Sequence, residues 1–354
     1  MTHQLRFKTS GSLVFAGVVG CLILATGPGN AAEPFVPGTG RFLKNCSDNF
    51  ENPNWGYSYN LPKSSYEQDE RQRGPGGVST NRLWHEGAMR GTPDVVKRVP
   101  TPPGGIFGST GALMMATKMS GVPRRTSNKQ QQDDLLMKVD LVLGGSIPVA
   151  YQPSCTVRVY LPPFEKWENR TGASFGMRAD CVARNRDGEN EHYWPGMFFL
   201  FRSETSKQIE NDHAKLTVRA DHRGRDVRSH EIDEPGWWTL GMSFTQDGQV
   251  HYYASAGIED LTEDDYLMSG FPYGYKTLTF DNFFFNVANW ENGRSWSTAW
   301  IIDDPQVFVN PLEGQSIARL YRRKSQNGRS KQPSVAQRKN SFGRRSGAQN
   351  PLRR

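Results

Sequence analysis

The sequence predicts an all-β protein, a two-sheet antiparallel β-sandwich, and three observations carry that expectation. The 354 residues include 36 glycines and 22 prolines, and 11% are aromatic, a composition suited to short strands joined by turns. Between Cys46 and Asn310 the apolar residues recur with period two, the signature of strands with one face on a core. No long stretch carries the 3.6-residue period of an amphipathic helix.

The elements follow in chain order. Met137, Val139, Leu141 and Leu143 alternate with Lys138 and Asp140, which predicts a strand. The preceding Gln130–Asp134 reads as an exposed polar loop. Cys155, Val157, Val159 and Leu161 form a second stripe, with Thr156, Arg158 and Tyr160 opposite. Phe175, Met177, Ala179 and Cys181 form a third, with Arg178 and Asp180 opposite, and Leu216, Val218 and Ala220 a fourth. Trp238, Leu240, Met242 and Phe244 lead to Asp247-Gly248, then to Val250, Tyr252 and Ala254, a hairpin whose turn needs the positive φ that glycine supplies. Ile258–Leu267 fits a short helix capped by Thr262. Trp300–Val309 is the last strand, and Pro305 inside it removes a ladder donor, so a bulge or an edge is expected there.

The formal net charge of +7 does not describe the folded body. Eleven Lys/Arg and no acid lie between Tyr321 and Arg354, and Arg6 and Lys8 stand in an acid-free start. Without those thirteen cations the body from Glu33 to Leu320 carries −6. The basic balance therefore gives no argument for specific nucleic-acid binding, and the tail is expected to touch anionic surfaces through charge alone. Arg6, Lys8 and the apolar run Leu13–Ala25 read as a signal peptide over residues 1–32 and hence as a secreted or periplasmic protein. Val18-Val19-Gly20-Cys21 loosely resembles a lipobox, but Leu22-Ile23-Leu24 continue the apolar run, against a lipoprotein. Residues 33–45 read as a linker, 46–310 as the sandwich and 311–354 as a basic disordered tail. Cys46, Cys155 and Cys181 remain after cleavage, an odd count. Their spacing predicts no structural zinc site, and leaves open whether Cys155 and Cys181 form a disulfide.

Three stretches carry a resemblance. Asp48-Asn49-Phe50-Glu51…Trp55, Trp237-Trp238-Thr239-Leu240 through Asp247-Gly248-Gln249-Val250-His251-Tyr252-Tyr253, and Ile301-Ile302-Asp303-Asp304-Pro305-Gln306-Val307-Phe308-Val309 resemble the opening strand, the central hairpin and the closing strand of concanavalin A-like (laminin G-like) jelly rolls. The resemblance spans roughly 46–310 and implies the jelly-roll sandwich. It implies carbohydrate binding, with an anionic polysaccharide as one ligand class. A polysaccharide lyase or glycoside hydrolase, or a structural envelope protein, are the alternatives. Fold alone does not choose among them.

Four sets of residues bear on that choice. Glu231-Ile232-Asp233-Glu234 resembles the start of the E-x-D-x-x-E strand of retaining glucanases, but Gly236 stands where the acid/base carboxylate belongs, and two-carboxylate catalysis needs both. If the strands of Cys155 and Cys181 pair, Arg158, Tyr160, Arg178 and Asp180 share one outward face, where arginines suit the acid groups of a sugar. A tyrosine beside them could move a proton in β-elimination. An ordinary solvated face competes with that reading. His192, Trp194, His251 and Tyr253, with Trp290 and Trp296, could stack on and hydrogen-bond a sugar, against core packing for most of them. Finally, Asp48 or Glu51 could meet Asp303 or Asp304 around a structural calcium, the pair Glu51 and Asp303 being preferred.

Overall fold

The computed structural model describes residues 32–121, 126–312, 315–317 and 320; the expected signal peptide and most of the basic tail lie outside them. The stripes become strands whose apolar faces meet. Cys155, Val157, Val159 and Leu161 of strand Pro153–Leu161 are buried in the same core as Phe175, Met177, Ala179 and Cys181 of strand Gly172–Arg184. These two strands lie in different sheets.

The first sheet runs Tyr266–Gly270, Val250–Ala256, Gly236–Phe244, Pro153–Leu161, Trp300–Val309, Ala112–Ala116, Val95–Val99. The second runs Val227–Ile232, His213–Val218, Gly196–Arg202, Gly172–Arg184, Lys276–Trp290, Gln130–Met137, then three short strands ending at Tyr57–Ser58. The pairings are antiparallel. The result is an all-β sandwich of two antiparallel sheets.

Aromatic rings fill the space between the sheets. Trp300 of the first sheet stacks on Phe199 of the second, with centroids 5.8 Å apart and planes at 7°. It also lies 4.8 Å from Phe175 and 4.7 Å from Trp167. Such pairs add about 0.5–1.5 kcal/mol each beyond the burial of their area. The central hairpin forms as expected: Trp238 pairs with Ala256 and Phe244 with Val250, and Gly248 takes φ +85°, where a Cβ would lie 2.7 Å from the Thr277 backbone. The last strand breaks register between Asp303 and Gln306, with Asp304 at φ +48°, so Pro305 sits in a bulge.

Several expectations change. The strand expected at Met137–Leu143 ends at Met137, and Val139–Leu143 forms one helical turn closed by Gly144 at φ +76°. Gln130–Asp134 is strand, not loop, and Asp133 and Asp134 are buried. Lys63 reaches Asp133 at 2.5 Å and Asp94 at 3.1 Å, so the buried carboxylate is paired. Between Ile258 and Leu267 only Glu263–Asp265 is helical, with Thr262 N–H donating to Asp265 Oδ2 at 2.7 Å. Residues 33–45 are not a free linker: Arg41–Phe42 pairs with Phe308 and Val309, Leu43 is buried, and Phe35 O accepts from Ser243 Oγ at 2.7 Å. Ile317 and Leu320, expected in the tail, pack against the core. Cys46, Cys155 and Cys181 are all free and buried.

Candidate functional site

Because Pro153–Leu161 and Gly172–Arg184 belong to different sheets, their outward residues face opposite sides of the molecule. Arg158 and Tyr160 stand outside the first sheet, where Arg158 pairs in register with Thr239 and Tyr160 with Trp237. Arg178 and Asp180 stand outside the second, beside Phe284 and Asn282. The single face expected for Arg158, Tyr160, Arg178 and Asp180 does not exist. The elimination site that needed Tyr160 beside Arg178 is not assembled.

A cavity of about 550 Å³ opens on the outer face of the first sheet, within the range of small-ligand sites. Its floor follows from strand alternation. With Cys155 and Val157 inward, Thr156 and Arg158 point out, and after the bulge Val307 and Val309 turn inward and leave Gln306 and Phe308 outside. The bulge at Asp304 turns its carboxylate into the same space. Arg158 Nη1 lies 3.4 Å from Asp304 Oδ2, Nη2 contacts Asp260 Oδ1, and Nε donates to Ile258 O at 3.1 Å. Gln306 Nε2 donates to Asp304 Oδ2 at 2.7 Å. Burial pushes the Asp304 carboxyl up, and Arg158 partly offsets this. At the rim Phe42, 41% exposed, lies 5.3 Å from Phe308. The Thr156 hydroxyl is buried on the floor and has no partner. The guanidinium is thus held by two carboxylates, and the cavity presents an apolar rim beside fixed donors and acceptors.

On the opposite side Arg178 is buried against the rings of Phe284 at 5.4 Å and Phe198 at 5.7 Å. Its Nη2 donates to Trp194 O at 2.8 Å, and Nε has no partner. Burial, then the neighbouring Arg219 and Arg90, bring its pKa down to about 9. A Cβ on Gly196 would lie 2.7 Å from Arg178 Cγ, so glycine there makes room for the side chain. Nearby, Asp180 Oδ1 lies 3.4 Å from His192 Nδ1, and Asp281 joins them, so that one nitrogen and two carboxylate oxygens lie within 4.8 Å of one another.

The remaining candidates scatter. His251 is buried outside the first sheet, held by Thr245 Oγ1 at 2.8 Å and Ser269 Oγ at 2.5 Å, and burial lowers its pKa to about 4. It is a neutral hydrogen-bonding centre. Tyr253 packs on Tyr266, and Tyr160 on Trp237. Trp290 and Trp296 are 42% and 47% exposed, outside the cavity. Glu231, at an edge strand, pairs with Lys215 and lies 3.6 Å from His213, while Asp233 is exposed beyond it; among the described residues no second carboxylate faces either across a cleft. Glu51 and Asp303 do come together, through Ser109 Oγ, which contacts Glu51 at 3.0 Å and Asp303 at 2.8 Å. Thr110 N–H at 2.9 Å and Gly111 N–H at 3.3 Å also donate to Glu51. Asp48 is taken up by the indoles of Trp55 and Trp84 and by Asn81. These carboxylate oxygens already accept protein donors, a poor match to calcium, which takes six to eight oxygens (about that number) for itself.

Sequence reasoning missed Thr239, Asp260, Gln306 and Phe42 at the cavity and Asp281 at the other cluster. A phenylalanine at 308, out of phase with the inward Val307 and Val309, was the one legible signal. Asp260 and Phe42 come from loops and an added strand that no period marks.

No family model matches the chain, and no curated protein matches it. Among solved structures, it is similar to the carbohydrate esterase vb_24B_21 from the Shiga toxin-encoding bacteriophage phi24B, at 12% identity and a TM-score of 0.37, over 72% of this chain and all of that one. It is similar to the carbohydrate recognition domain of Emp47p at 9% identity and TM-score 0.35, over 77% and 98%. The PL7 alginate lyase AlyA1 from Zobellia galactanivorans follows at 10% and 0.35, over 67% and 92%. At these identities and scores the likenesses carry no functional argument.

Proposed function

We propose that this chain is an exported carbohydrate-binding protein that holds a neutral, hydroxyl-rich sugar in the cavity above Thr156 and Arg158. The observation that carries this is the pairing of an exposed ring with a polar floor in one cavity. Phe42 offers a face for sugar C–H groups, and Gln306, Arg158 and the two aspartates offer hydroxyl partners in fixed positions. With one arginine against Asp260 and Asp304 the cavity carries net negative charge when both are ionised, which disfavours an anionic sugar.

The test is calorimetric titration of the full chain with cello-, xylo- and manno-oligosaccharides alongside alginate and pectin fragments. At least one neutral oligosaccharide is expected to bind, and Phe42→Ala and Gln306→Ala are each expected to weaken it by about tenfold, the worth of a lost hydrogen bond or ring contact. Binding indifferent to both variants, or confined to the anionic fragments, refutes the assignment. Release of reducing ends or of unsaturated uronates would make the protein an enzyme.

A further inference from the structure

We infer that Asp180, His192 and Asp281, on the outer face of the second sheet, form a binding site for a divalent transition-metal ion of the zinc class. The site lies on the opposite side of the sandwich from the sugar cavity and does not rest on it.

Strand geometry assembles the ligands. Asp180 lies on Gly172–Arg184, and His192 on Asn190–Tyr193, where it pairs with Val182. In the strand Lys276–Trp290, Asp180 pairs with Asn282 but Cys181 with Phe280. Asp281 is therefore the extra residue of a bulge, which brings its carboxylate to the side of Asp180. Bulges re-aim side chains in this way.

The donor set and spacing fit such an ion. Zinc binds imidazole nitrogen and carboxylate oxygen at about 2.0–2.2 Å in a tetrahedron, which sets neighbouring ligand atoms about 3.4 Å apart. His192 Nδ1 and Asp180 Oδ1 are 3.4 Å apart. The other separations, within 4.8 Å, close by rotation about side-chain bonds. An imidazole among the ligands selects against calcium and magnesium, which take oxygen.

A second, independent observation lies beside the cluster. Asn282 is 1% exposed, and its Nδ2 donates to Asp180 Oδ2 at 3.1 Å. The other end of the same carboxamide, Oδ1, is buried with no partner. Such groups are otherwise satisfied, so the amide that holds Asp180 carries an unmet demand for a positive partner. Support for the first ligands is in place as well: Thr279 Oγ1 donates to Asp281 Oδ1 at 2.7 Å, the kind of outer contact that orients metal-binding carboxylates. The absence of a cysteine-based zinc pattern does not bear on this site, whose ligands come from three strands.

The experiment is calorimetric titration of zinc chloride into the full chain, prepared without a histidine tag and stripped with chelator. About one equivalent is expected to bind, with His192→Ala and Asp180→Asn each weakening it at least tenfold or so and His213→Ala leaving it unchanged. His192 is exposed, so its variant is expected to fold even if a change at the buried Asp281 does not. Circular dichroism of the variant checks this. No zinc uptake, uptake undiminished in His192→Ala, or uptake of calcium chloride in preference to zinc overturns the inference.

Discussion

Replacing Asp303 with asparagine is expected to raise stability at alkaline pH and to do so progressively less as the pH falls. Asp303 is 1% exposed. Burial, with the charges of Asp304 and Glu51 adding to it, raises its pKa from the ordinary 3.8 to about 7, despite the donors Ser109 Oγ and Asp304 N–H. A carboxyl whose folded pKa is raised binds its proton more tightly in the folded state. Its stabilisation is present in full at low pH and is lost as pH rises from about 4 to 7. At about 1.4 kcal/mol per pKa unit the full loss comes to about 4 kcal/mol, and the part between pH 5 and pH 8 is about 2.5 kcal/mol. The asparagine of Asp303→Asn does not titrate, keeps an acceptor for Asp304 N–H, and gains a donor toward Ser109. The variant's unfolding free energy, relative to wild type, should therefore rise by about 2.5 kcal/mol between pH 5 and pH 8. Glu51 and Asp304 titrate in both proteins and largely cancel. Urea unfolding followed by tryptophan fluorescence at the two pH values measures the difference. A gap that stays constant with pH would refute a protonated Asp303, and a gap that shrinks would show its charge stabilised, as a bound calcium would do.

Two further outcomes follow from burial. Lys63→Met strands the carboxylate of Asp133 and should cost about 3–5 kcal/mol in urea unfolding at pH 7; a loss below about 1 kcal/mol, the range of exposed pairs, would mean that the pair is solvated. Cys46, whose thiol burial pushes up to about 12, and Cys155 and Cys181, pushed up likewise, should resist a thiol reagent until the chain unfolds. Mass spectrometry of the native protein after brief alkylation reads this, and prompt labelling of any of the three contradicts their enclosure.

The sandwich was legible because each central strand has one face on the core, and period two is what that environment imposes. The same rule misread Met137–Leu143. Val139 and Leu143 are four residues apart, a spacing that serves period two and one helical turn equally, and only Leu141, 56% exposed, betrays the helix. Gln130–Asp134 reads as a loop in the sequence because the groups that hold its carboxylates, the Lys63 ammonium on Asp133 and the Asn286 amide on Asp134, lie far away in the chain. The candidate site failed at one step. Neighbouring strands in sequence usually pair, and the shared face of Arg158 and Arg178 depends on that pairing. Residues 162–171 instead carry the chain from one sheet to the other, with Trp167 packed on Trp300 between them. That crossing leaves no trace in alternation, since both strands still turn one side inward.

The crossover has a consequence for how this molecule can change. Paired sheets stand about 10 Å apart, and here a buried aromatic layer separates the two outer surfaces. The Thr156–Arg158 hollow and the Asp180–His192 cluster lie on different sheets, and changes at sites that far apart usually add independently. Each surface can therefore be altered by substitution on its own, while the stacked rings between them stay as they are.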